Sequence, residues 1–231
     1  EAGETYTDLS VEASYNGEIG TSGTPLAPTG VTNTYFRGGP NSRLYLAGAC
    51  ANIEIDTANQ RDDAVTLTAT AIDLLNVVKG GCTISGSGTT AASGRINVLG
   101  TGRLTINGAA LAASTNVYVR DSGVCRIFVN AINIQQSGGE LHLGSATTTT
   151  TLTTTQLVVD GGTCNVYTSG TATLVEVGSG GRIIYQNDLV RTTSACRVFG
   201  NRCLLDLSRT SVQNHTLTAG IIATGGASSA N

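Results

Sequence analysis

Tryptophan and methionine are absent from the 231 residues, lysine occurs once (Lys79) and proline three times (Pro25, Pro28, Pro40). Aromatics make up 4% and charged residues 13%, with a net charge of −3. Each shortage excludes something. Charge this sparse and balanced does not make a nucleic-acid surface, which needs clustered Lys and Arg. No apolar run approaches the length of a membrane-spanning helix, so no membrane contact is expected. No charged start leads into an apolar core, so no secretory leader is expected within these residues. Little charge beside 40% hydrophobic residues also argues against disorder.

What is abundant is small and polar: Thr 35, Gly 30, Ser 18 and Asn 16. These residues are not scattered. One phrase recurs: a short apolar alternation, a Gly-containing turn, then a second alternation. It occurs at residues 74–85 (LLNVVKGGCTIS), 95–107 (RINVLGTGRLTIN), 116–129, 132–143, 156–167, 174–185 and 196–207, with a looser copy at 43–55. Anchoring the seven copies on Gly80, Gly102, Gly123, Gly139, Gly162, Gly181 and Asn201 gives steps of 22, 21, 16, 23, 19 and 20 residues.

The anchors align columns. Two residues beyond them stand Cys82, Leu104, Cys125, Leu141, Cys164, Ile183 and Cys203. Four beyond stand Ile84, Ile106, Ile127, Leu143, Val166, Tyr185 and Leu205. Both columns are apolar throughout, while the position between them is mostly polar: Thr83, Thr105, Arg126, His142 and Asn165, then Ile184 and Leu204. This period of two makes each half-phrase a strand. The Gly and Asn anchors mark turns with positive φ. Equivalent positions recurring every ~20 residues stack on one another, so the chain is predicted to be all-β, a single-stranded parallel β-helix (β-solenoid) of about eight rungs. At the strand spacing, eight rungs give a rod about 40 Å long. Two or three strands per rung are expected, with residues 86–94 and 145–155 adding length on one side.

Six cysteines would ordinarily read as disulfides. The columns predict otherwise. Cys82, Cys125, Cys164 and Cys203 occupy the same inward position on alternate rungs, roughly 9–10 Å apart, beyond the ~7 Å reach of a disulfide. They are expected to be free thiols acting as small apolar residues between larger Leu and Ile neighbours. Cys50 and Cys196 lie outside this column and are left open. Neither CxxC spacing nor clustered His accompanies any of the six, so no metal is expected.

Residues 1–42 lack the phrase and hold all three prolines, which reads as an N-terminal arm or cap. The solenoid body is placed at 43–208 and a C-terminal cap and tail at 209–231. Ile184 and Leu204 put apolar side chains in the outward column near the end of the stack, which predicts a covered surface and a partner interface. A neighbouring subunit, or residues 212–222 folded back, would cover them.

Parallel β-helices include polysaccharide lyases and hydrolases, and such chemistry needs converging carboxylates with Arg or Lys nearby. Here Asp121 and Asp160 fall in turns, Asp188 in a loop and Asp206 in a strand. Turn aspartates usually cap backbone. His142 and His215 have no nucleophile beside them and read as solvated surface residues. No catalytic, cofactor-binding or metal motif appears, and a sugar-cleaving groove would favour the missing Trp. An ice-binding Thr array fails because Arg126 and His142 interrupt the column begun by Thr83 and Thr105. The Thr-rich run 147–155 is a single segment, read as an extended loop or a third-side strand.

Two phrases carry a resemblance: residues 161–187 (GGTCNVYTSGTATLVEVGSGGRIIYQN) and residues 204–220 (LLDLSRTSVQNHTLTAG). They look like a group of phage and prophage virion-associated β-solenoids, taken to be capsid decoration or head-fibre components. Those proteins close with an "LDFSRD…TVTN" phrase, matched here by Leu205, Asp206, Leu207, Ser208 and Arg209, with Leu in place of Phe. The resemblance covers roughly residues 95–218. It implies no catalytic residues and no cofactor. Its implied partners are a major capsid protein or another virion protein and further copies of the chain, a trimer, at the virion surface. The expected function is therefore a non-enzymatic structural component of a phage virion. The alternative is a receptor-binding or adhesin module that recognises a surface glycan.

Overall fold

A computed structural model describes residues 7–85, 90–107, 111, 115–148 and 150–224. Residues 1–6 of the expected arm, 86–89 of the expected side loop, Thr149 and 225–231 of the expected tail lie outside the described residues. The described strands are β1 (Asp8–Val11), β2 (Glu18–Ile19), β3 (Asn33–Phe36), β4 (Arg43–Ala49), β5 (Asn52–Asp56), β6 (Val65–Ser85), β7 (Thr90–Asn107), β8 (Asn116–Val119), β9 (Val124–Ile127), β10 (Asn133–Leu143), β11 (Thr151–Val166), β12 (Ser169–Gly178), β13 (Arg182–Tyr185), β14 (Arg191–Phe199), β15 (Leu204–Asp206), β16 (His215–Leu217) and β17 (Ile221–Thr224). Every pairing recorded between them is parallel. Stacked coils of this kind are a β-solenoid. Eleven strand segments line up on its first side, from β1 to β17, and so enclose ten turns.

The longer strands turn corners, so that one strand serves two or three sides. On the first side an inward column runs Leu75, Ile96, Val117, Ile134, Leu157, Val175 and Cys196. On the second side the expected column is present: Cys82, Leu104, Cys125, Leu141, Cys164 and Ile183 are consecutive register partners. A third side is built at both ends. Near the start, β2, β4 and the opening of β6 pair; near the end, the openings of β11, β12 and β14 pair with β16. Thr151–Thr154 of the Thr-rich run is thus a third-side strand. The inward side chains of all sides merge into one core. Identical columns repeat because burial selects one face of each strand, and a one-residue slip would expose the whole set.

The corners are crowded as well as sharply turned. Gly139 has φ +65°, and a Cβ there would lie 2.1 Å from the Gly123 carbonyl oxygen. Gly102 has no positive φ, yet a Cβ would meet the Val77 oxygen at 2.1 Å. The anchor column therefore combines two demands, left-handed backbone at some turns and close backbone approach at others.

Residues 8–36, within the segment read from the sequence as an arm or cap, pair into the stack. β1 and β3 pair in register with each other and then with β5, and β2 pairs with β4. These residues form the first turns of the stack. The phrase was hidden because Thr34, fully buried, takes an inward position. Its hydroxyl lies 3.1 Å from the Cys50 sulfur, so the core tolerates a polar residue that breaks the alternation. At the other end, β16 and β17 add to β14 and continue the stack beyond residue 208.

Candidate functional site

All six cysteines are free and buried. Cys82, Cys125 and Cys164 occupy the predicted column, and burial drives their thiols up, Cys125 to about 12 against a lowering by the Arg126 charge, with the Cys125 thiol adding to the rise at Cys164. Cys203 is corrected. Leu205, not Cys203, is the register partner of Ile183. The last corner is longer, with positive φ at both Gly200 and Arg202. A slip of two leaves every side chain on its own face, so alternation could not detect it. Cys203 is still buried, with its sulfur 3.5 Å from the Gly200 carbonyl oxygen. Cys196 belongs to the first-side column, between Val175 and Ile221.

Ile184 and Leu204 both face outward, half-buried, on the second side. They are not register partners. Ile184 stands between Asn165 and Asp206, and Leu204 opposite Arg182. Residues 212–222 do not fold back over them, because β16 and β17 extend the other two sides. The large apolar side chains left exposed lie close to that end: Val190, Val212, Ile221 and Ile222.

Titratable groups mostly serve the backbone. Asp121 accepts the Gly100 N–H at 3.1 Å, Asp188 the Ser211 N–H at 2.7 Å, and Asp206 the Ser208 N–H at 2.9 Å. Hydrogen bonds from Ser211 and Ser208 hold the Asp188 and Asp206 carboxyls below their ordinary range. Asp62 ties two turns together by pairing with Arg103 at 2.6 Å and Arg126 at 3.3 Å. His142 is half-buried against Glu140, 3.0 Å away, and stacks on Tyr167. No group of three or more metal-binding side chains occurs among the described residues.

His215 departs from its expected solvated state. It is buried, its Nε2 lies 3.2 Å from the Thr193 hydroxyl, and its ring is 4.8 Å from that of Tyr185. Burial, then the nearby Arg191 charge, lowers its pKa. Arg191 is itself buried. It donates to the carbonyls of Thr168 (2.7 Å), Asn187 (2.8 Å) and Leu189 (3.1 Å), and to the Asn187 side-chain oxygen. Its guanidinium also lies over the Tyr185 ring. These bonds fix the 187–190 corner, a structural task that no sequence motif announced.

The outward face of the first side, which carries two columns, is built differently from that of the second. Asn33 donates to Asp8 at 2.7 Å, Asn52 to Asn33 at 2.8 Å and Asn97 to Asn76 at 2.7 Å. Tyr118 follows in register between Asn97 and Gln135. The Arg95 and Arg120 guanidiniums both lie against its ring, with Cζ atoms 5.7 and 5.3 Å from the centroid. This cluster was not expected, because it joins residues from two turns. The sequence signal that carries it is the outward register of the first half-phrases, which sets Tyr118 beside Asn97.

No family model, no curated protein and no solved structure matches this chain.

Proposed function

We propose that the chain is a non-enzymatic structural component of a phage virion, a capsid decoration or fibre element whose stiff body is joined to the particle at its C-terminal end. The observation that carries this reading is the apolar end of the stack. Val212 is 89% exposed, Val190 66% and Ile222 55%, all within the last turns. Apolar side chains gathered at one end of an otherwise polar rod suit burial by a partner. The proposed partner is the major capsid protein or another virion protein, with further copies of the chain, three in all, as the second. The closing phrase around Asp206 supports the same reading through its resemblance to virion-associated solenoids. Because residues 8–36 are taken up by the stack, attachment is assigned to the C-terminal end and not to an N-terminal arm.

Purified particles test it. The protein is expected to co-purify with virions, and the double variant Val212→Asp/Ile222→Asp is expected to fold normally yet be lost from them. Both side chains are exposed, so the charges cost the fold little. Absence of the wild-type protein from purified particles, or full retention of the variant, would contradict the proposal.

A further inference from the structure

The Tyr118 cluster carries a charge that the fold does not use. Arg95 sits one turn before Tyr118 and two positions back; Arg120 sits two positions ahead, just after β8. Both arginines are exposed. None of the ion pairs formed among the described residues includes either one. Carboxylates on the same outward column are already engaged: Glu54 by Arg37 and Glu176 by Arg197. Asp121, next to Arg120 in the chain, is bound to the Gly100 N–H. Two like charges converging on one ring repel, and the ring's negative face offsets only part of that repulsion. An anion at the open edge of the cluster, within reach of both guanidiniums, would offset it, and a carboxylate suits the planar fork of arginine.

The surroundings select what bears the anion. Arg95, Asn97, Leu99, Tyr118, Arg120 and Gln135 bound a recess of about 430 Å³, within the size range of small-ligand sites. Tyr118 and Gln135 also line a second recess of about 130 Å³, whose lining includes Asn133 and Gln156. Toward the other end lies one of about 260 Å³ whose lining includes Asn33, Asn52 and Asn76. Amides both donate and accept, as the hydroxyl groups of a sugar do. One turn of the rod advances about 4.8 Å, close to the length of one pyranose residue. A dense polyanion such as a nucleic acid would need far more positive charge than two arginines on a chain of net charge −3.

We infer that this face binds an acidic polysaccharide along the rod axis. Arg95 and Arg120 hold the carboxylate of one sugar, the Tyr118 ring carries both guanidiniums, and Asn97 and Gln135 meet the hydroxyls. The site goes beyond attachment to a particle and does not rest on it, since binding is read on the isolated protein.

Calorimetric titration tests the inference, with tetragalacturonate and tetrasialate as probes and maltotetraose and inorganic sulfate as controls. At least one acidic tetrasaccharide is expected to bind, about tenfold or more tighter than maltotetraose or sulfate. Arg95→Gln/Arg120→Gln is expected to weaken it by about tenfold or more, with an unchanged melting temperature, while Arg197→Gln leaves it intact. The inference is overturned if neither acidic tetrasaccharide binds, if either control binds as tightly, or if the double variant binds like the wild type.

Discussion

Cys125 on β9 is the register partner of Leu141 on β10, and neither side chain reaches solvent. The pair is one step of a core that alternates small and large residues along the rod. Its thiols should be chemically silent. In native protein at pH 8, a thiol reagent is expected to label none of the six cysteines within minutes, because burial raises the thiols of Cys50, Cys82, Cys125, Cys164 and Cys196 and shields all six from the reagent. After denaturation without reductant all six should react. Rapid native labelling, or fewer than six thiols on unfolding, would contradict the packing.

The same column predicts unequal costs for neighbouring positions. Leu141→Ala is expected to destabilise by about 2–5 kcal/mol through the cavity it leaves. Thr105→Ala, on the outward side of β7 two strands away, is expected to change stability by no more than about 0.5 kcal/mol. Chemical denaturation midpoints check both.

Much of this was legible in the sequence because burial acts on side-chain type at fixed intervals. The second-side column from Cys82 to Ile183 followed from alternation and turn spacing. Cys203 did not, because a slip of two preserves alternation and only the corner length separates the alternatives. The turns at residues 8–36 were hidden by Thr34, an inward polar residue whose partner, Cys50, comes from the next turn. His215 read as a surface residue because its burial depends on Tyr185 and Thr193, both from earlier turns. The Arg95, Tyr118 and Arg120 cluster depends on outward stacking, where no burial constrains residue type and the local pattern is silent.

Glycine at position 139 should not be replaceable. Gly139→Ala combines a left-handed backbone with a contact to the Gly123 oxygen, and is expected to cost at least about 1–3 kcal/mol. A denaturation midpoint equal to that of the wild type would mean that the corner is more open than described.

Arg191 should be indispensable to the last turns. Arg191→Met leaves the carbonyls of Thr168 and Leu189 without their donor, and a loss of about 2 kcal/mol or more is expected. Limited proteolysis should then cut first near residues 187–190. An unchanged cleavage pattern would contradict the role assigned to the guanidinium.

Acid should loosen the stack at two places, the last turns around His215 and the second side around His142. Burial, then Arg191, lowers the His215 pKa, and burial lowers that of His142. The folded protein thus favours both neutral rings. Their contribution is full above the unfolded value of about 6.5 and is lost as pH falls below it toward the folded values. Melting temperature should be flat from pH 8 to 7 and decline below about 6.5. His215→Gln should flatten part of that decline. A melting temperature that rises on acidification would contradict the assignment.

The polar face and the apolar end both depend on parallel turns stacked in register, and disulfide trapping tests that directly. Asn76 and Asn97 are outward register partners on adjacent turns, whereas Asn76 and Tyr118 stand two turns apart. Asn76→Cys/Asn97→Cys is predicted to close a disulfide under mild oxidation, because neighbouring strands lie about 4.8 Å apart. Asn76→Cys/Tyr118→Cys is predicted to stay open. Mass spectrometry after alkylation reads both, and closure of the distant pair with the adjacent pair left open would contradict the stack.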